Sequence, residues 1–141
     1  MKRFLPFTLM LMLLFTCYGN ALAVETGVLS SSVMSQYSAV MFQGSARGVV
    51  EISYAVSGTA PTMTSIGVSS IKIYTSNGNC VKTITGSTSN GLMARNTIKH
   101  SGTYSYSGVS KTSYYAIVTF SASVGGNSDT KQVRTNTVKA P

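Results

Sequence analysis

From Tyr37 onward, apolar and polar residues alternate with a period of two, and no stretch carries the i, i+3, i+4 apolar stripe of a packed helix. This alternation constrains the fold most, because it turns every second side chain to the same face of an extended chain. The clearest case is Val49 to Ser57. There Val50, Ile52, Tyr54 and Val56 alternate with Val49, Glu51, Ser53 and Ala55, the pattern of an antiparallel strand with one face buried. Ser113 to Val124 repeats it, with Tyr114, Ala116, Val118, Phe120 and Ala122 on one side. Shorter runs at Tyr37 to Gln43, Ser69 to Thr75, Cys80 to Thr85, Thr103 to Ser107 and Lys131 to Val138 bring the expected total to seven strands.

The breaks between these runs carry turn chemistry. Ser45 to Gly48 and Gly125 to Asp129 read as turns, and Gly58 to Thr64, with Pro61, interrupts the alternation. Asn77-Gly78 sits between two β-prone runs and signals a hairpin in which both turn positions take positive φ. Gly86 to Gly91 reads as loop, and Leu92 to Lys99 has room for a helical turn. Seven short strands with turns about every 8–12 residues point to an all-β antiparallel sandwich.

The first 23 residues stand outside this pattern. Met1-Lys2-Arg3 precede a mostly apolar run from Phe4 to Phe15, and Ala21-Leu22-Ala23 follows as an A-x-A site. A basic start, an apolar run of about a dozen residues and small residues at the cut mark a secretory signal peptide. The run is shorter than the roughly 20 residues a spanning helix needs. The expected organisation is therefore a signal peptide over 1–23, a flexible Ser-rich arm over 24–35 and a β-sandwich domain over 36–141, in a secreted protein with no transmembrane segment in its mature chain. Cleavage after Ala23 leaves 118 residues, with nine Lys and Arg against three acids, a net charge of +6. A chain of that length buries about two-thirds of its unfolded surface, enough for one core.

Two core Cys around a Trp, the immunoglobulin hallmark, are absent. The run Gly108-Val109-Ser110-Lys111-Thr112-Ser113-Tyr114-Tyr115 nevertheless resembles the approach to the sixth strand of fibronectin type III-like domains, where a Tyr hydroxyl bonds back to the preceding corner. Tyr115 fits the spacing from Val109 and Tyr114 fits the apolar face, so the sequence leaves both open. A wider resemblance rests on Ile66-Gly67, Ile71-Lys72-Ile73-Tyr74, Gly91-Leu92-Met93, Asn96, His100 to Gly108, Tyr114-Tyr115-Ala116, Val118-Thr119-Phe120, Asp129 and Thr135 to Val138. Over roughly Val49 to Ala140 the chain resembles a group of small secreted proteins of Gram-positive, Clostridia-like bacteria, each a signal peptide followed by one immunoglobulin-like sandwich. The resemblance implies location and an immunoglobulin/fibronectin III-like fold, and it brings no active site.

The inventory of reactive side chains argues against catalysis. After the leader the acids are Glu25, Glu51 and Asp129, expected in the arm, in mid-strand and in the last turn. Such positions do not suit a carboxylate pair held about 5–9.5 Å apart across a glycosidic bond. His100 is the single histidine, and the abundance of Ser makes any nominated triad uninformative. One His and one mature Cys do not fill the three or four positions of a zinc site. No catalytic, cofactor-binding or metal-binding residues are expected. Cys80, unpaired after the leader leaves, is a candidate for an intermolecular disulfide and so for a dimer.

The basic residues are scattered, which argues against a nucleic-acid stripe. Lys72 and Lys82 fall on the two arms of the Asn77-Gly78 hairpin as expected neighbours. Arg95, Asn96, Lys99 and His100 gather in the irregular segment, with Tyr104 and Tyr106 alternating onto one face of the next strand. Those six are the candidate ligand-binding residues, for an anionic group held by the cations and a sugar stacked on the tyrosines. The function expected is a secreted non-catalytic binding module for anionic wall polymer, glycan or another surface protein. The alternative is a cationic, bacteriocin-like or membrane-active antagonist, against which the lack of an amphipathic helix counts.

Overall fold

The computed structural model describes Gly27–Val28 and residues 33–141, and the described residues are ten strands with no helix. They are β1 (Gly27–Val28), β2 (Met34–Gln43), β3 (Val49–Gly58), β4 (Ser65–Thr75), β5 (Cys80–Thr85), β6 (Met93–Ala94), β7 (Lys99–Ser107), β8 (Ser113–Val124), β9 (Asn127–Arg134) and β10 (Val138–Lys139). Three of these have two residues each; the other seven run from 6 to 12 residues. The first sheet has the order β1-β2-β3-β7. In the second, β4 and β8 are central, with β9 and β10 beside β8, and β5 and β6 beside β4. Every pairing is antiparallel. The chain is thus the expected all-β antiparallel sandwich. The leader and most of the arm lie outside the described residues.

Alternation places the core between the sheets. Val50, Ile52, Tyr54 and Val56 of β3 face Tyr114, Ala116, Val118 and Phe120 of β8, and all are buried. Each Val, Ile or Phe so buried contributes about 1.5–3 kcal/mol. Tyr37 packs on Phe120 with ring centroids 5.8 Å apart. Met34 is also fully buried and opens β2, so the sandwich begins before the boundary expected at residue 36. Within the expected arm, Gly27–Val28 pairs with Gln36 and Tyr37.

The structure corrects four details of the sequence reading. First, β4 begins at Ser65, not Ser69. A bulge between Val68 and Ser70 shifts the alternation by one, so Ile66 and Val68 point inward on one phase and Ile71 and Ile73 on the other. Second, the hairpin at Asn77-Gly78 forms, but only Gly78 has positive φ, at 92°. The Gly78 N–H donates to Thr75 O at 2.9 Å and the Thr75 N–H to Asn79 O at 2.9 Å. This is a three-residue loop ending in a left-handed glycine. Within the loop, Thr75 Oγ1 donates to Asn77 Oδ1.

Third, 92–99 contains no helical turn. Met93–Ala94 pairs with β4, and Met63 exchanges backbone bonds with Asn96 and Thr97, leaving no local bonds for a helix. Fourth, the closing segment splits. Gly125 and Gly126, with φ of 57° and 80°, form the whole turn, so Asp129 lies in β9 and not in the turn. Thr135 then interrupts pairing: its buried Oγ1 accepts the Ala116 N–H at 2.9 Å.

The corner tyrosine is Tyr114. Its hydroxyl accepts the Val109 N–H at 2.8 Å while its ring stays in the core. Tyr114→Phe should cost about 1 kcal/mol in urea denaturation, with an unchanged m-value. Tyr115→Phe should cost much less, because no backbone group among the described residues bonds to its hydroxyl; equal losses would refute the assignment.

Edge strands carry charge on their inner side. Lys82 of β5 stands opposite Ile73, and Lys131 of β9 stands opposite Phe120. Inward-directed charges at an edge oppose strand addition by a second molecule. On β2 the Asn136 amide bonds both backbone groups of Met41, accepting at 2.9 Å and donating at 2.9 Å, in place of a neighbouring strand.

Candidate functional site

The six sequence-nominated residues do not form one cluster. Lys99 and His100 are consecutive in β7 and therefore face opposite ways. Lys99 stands opposite Ser57 and is exposed, whereas His100 stands opposite the buried Val56. His100 Nε2 lies 2.7 Å from Gly91 O; a carbonyl only accepts, so Nε2 carries the proton. The Tyr54 hydroxyl donates to the same carbonyl at 3.4 Å, and the two rings meet with centroids 5.9 Å apart. His100 thus ties the first sheet to the 86–92 loop. Arg95 is exposed beside β6, and Asn96 is exposed at φ 55° with its N–H on Met63 O.

Tyr104 and Tyr106 do share a face, but it is the inner one. Both pack against the core, and Tyr106 meets Tyr114 edge-on at 5.5 Å. Burial raises the Tyr106 phenol above its ordinary value, helped by Tyr114 and Tyr104 beside it, and burial also raises Tyr54. Tyr104 and Tyr106 act as packing groups, not as an open stacking platform. Lys72 stands opposite Thr83 and Lys82 opposite Ile73, so the two hairpin lysines lie on opposite faces.

The acids are also apart. Glu51 is on the outer face of the first sheet, where Ser105 Oγ donates to Oε1 at 3.5 Å. Asp129 stands opposite the buried Ala122 at the edge of the second sheet and pairs with Lys131 Nζ at 3.7 Å. Glu25 lies outside the described residues. Cys80 is a free, exposed thiol at the start of β5, with Sγ 3.7 Å from Lys82 O. Among the described residues no three His, Cys, Asp or Glu side chains gather where they would hold a metal ion. Among them, too, no helix is long and apolar enough to cross a membrane.

The outer face of the second sheet carries a group that sequence reasoning missed. Tyr74 and Tyr115 are cross-strand partners whose rings stack at 5.2 Å and 8°. The Arg134 guanidinium lies 3.9 Å from the Tyr115 ring centroid. Neither tyrosine belongs to the core cluster. Two residues along β8 and on the same face, Ile117 is flanked by Lys72 on β4 and Arg134 on β9. Lys139 of β10 stands opposite Ser113 on the same face. Three cations thus frame two tyrosines, and among the described residues no acid shares the face. The only available signal was alternation: once Tyr114 is inward, Tyr115 must be outward. The partners come from β4 and β9, 41 and 19 residues away along the chain by their numbering.

Comparison with protein-family models, curated proteins and solved structures returned no match.

Proposed function

We propose that this chain is an exported, non-catalytic binding module that attaches to anionic polymers of a cell surface or wall. The observation that carries the reading is the state of its cations. Among the described residues one ion pair forms, Lys131–Asp129, and the remaining Lys and Arg side chains have no carboxylate partner. Unpaired cations on a rigid sandwich attract polyanions over a Debye length and remain available for contact. The strand order β2-β3-β7 against β5-β4-β8-β9, with the Tyr114 corner, supports an immunoglobulin/fibronectin III-like scaffold. The apolar leader and A-x-A site support export.

The test is co-sedimentation of the purified protein with Gram-positive cell walls, intact and stripped of anionic polymer, across a salt series. Binding should fall steeply as the Debye length shortens from about 10 Å at 0.1 M to about 3 Å at 1 M. Stripped walls should retain little protein. Binding that ignores both salt and stripping would refute the proposal.

A further inference from the structure

The geometry points to the outer face of the second sheet, through Lys72, Tyr74, Tyr115, Arg134 and Lys139, as a site for a polymer of phosphodiester-linked sugars or polyols. This rests on the polyanion reading above and names its site and ligand class.

Four observations lead there. The first is charge: among the described residues three cations occupy the face and no acid does, so an anionic ligand meets complementary charge there. The second is preorganisation. Arg134 makes no ion pair among the described residues and lies over the Tyr115 ring, which holds the guanidinium while leaving its N–H groups for an outside acceptor. A side chain already fixed loses less entropy on binding.

The third is the donor set. Arg, Lys, Tyr and Ser/Thr side chains are the groups that commonly contact phosphodiester oxygens. Here Thr119 stands beside Ile117 along β8 and Thr83 stands opposite Lys72 on β5, extending the polar face to either side. Lys72 and Arg134 flank Ile117 at two strand spacings, about 10 Å between backbones, a separation that suits a chain of repeated charges better than one small ion.

The fourth selects among phosphodiester polymers. The Tyr74 and Tyr115 rings stack face to face across the strands, and Arg134 lies against Tyr115 as well. The Tyr115 faces are therefore engaged within the protein, so hydroxyls and ring edges are what it offers a ligand. Single-stranded nucleic acid draws much of its affinity from bases stacked on open aromatic faces. A sugar or polyol phosphate needs only the hydroxyls and the cations.

The experiment measures binding of the full secreted protein to poly(glycerol phosphate) by isothermal titration calorimetry at low salt. Polygalacturonate and single-stranded DNA of matched charge are the comparison ligands. Two double variants remove the same charge: Lys72→Gln with Arg134→Gln on the proposed face, and Arg95→Gln with Lys99→Gln in the segment favoured by sequence. All four positions are at the surface and Gln retains much of each stem, so a thermal melt should show both variants folded. The face variant should lose at least about tenfold in affinity, as expected for charge-assisted contacts, and the other variant about twofold or less.

Equal losses, or a larger loss from Arg95 and Lys99, overturn the site while leaving the polyanion reading standing. Tighter binding of polygalacturonate or DNA than of poly(glycerol phosphate) overturns the ligand class. No binding of any polyanion by the unmodified protein overturns both this inference and the function it rests on.

Discussion

Phe120→Ala should lower the unfolding free energy by about 3–5 kcal/mol, a large fraction of what holds a domain of this size together. Phe120 is fully buried in β8, the central strand that pairs with β4, β9 and β10. Its ring fills the space between the sheets against Tyr37, 5.8 Å away between centroids. Antiparallel pairing on both sides holds the β8 backbone, so the strand has little freedom to collapse into the gap. The loss therefore includes the cavity as well as the apolar transfer. In thermal denaturation the midpoint should drop by roughly 10–20 °C. Phe120→Leu, which refills most of the volume, should recover much of the loss. A loss below about 1 kcal/mol for the alanine variant would mean that Phe120 is not the central packing residue.

Gly67→Ala should be nearly as damaging, although it adds a single methyl group. Gly67 has φ +149° and pairs with Ser121 on one side and Met93 on the other. A Cβ there would lie 2.3 Å from Leu92 O and 2.8 Å from Met93 Cα, both backbone atoms. Overpacking of this kind costs about 1–3 kcal/mol, and the left-handed backbone adds about 1–2 kcal/mol. The expected relief is detachment of β6, which would break the 2.8 Å bond from the Val68 N–H to Leu92 O and uncover the buried Leu92. Hydrogen exchange at the Val68 amide should accelerate together with the loss of stability. Gly78→Ala is the control: φ is +92° there with nothing within 4 Å, so only the backbone strain remains. Equal losses at the two glycines would show that strain, not close approach, governs Gly67.

The candidate ligand face was less legible than the fold, for a reason visible in particular residues. Val50, Ile52, Tyr54 and Val56 announce their face by themselves, because burial depends on hydrophobicity and alternation is local. Arg95, Asn96, Lys99 and His100 looked like a cluster because they are close in sequence. In β7, however, neighbouring side chains point to opposite faces, so Lys99 and His100 separate. The tyrosine criterion failed in a related way: Tyr104 and Tyr106 alternate as expected, but toward the core. At Ser69 the local rule itself broke, since a bulge changes which residues point inward without leaving a composition signal.

What the sequence determined by itself was the class of structure: strand after strand with one apolar face, divided by glycine-rich turns and closed around a core of Val, Ile, Tyr and Phe. These follow from the two-residue period of an extended chain and from the preference of apolar side chains to leave water. Apart from the hairpin marked by Asn77-Gly78, tertiary structure alone decided which strands became neighbours. It chose Tyr114 over Tyr115 for the corner, gave Asn136 its place on the edge of β2, and assembled Tyr74, Tyr115 and Arg134 from three strands. Register across a sheet is set by the packing of both layers together, and that information is spread over the whole chain.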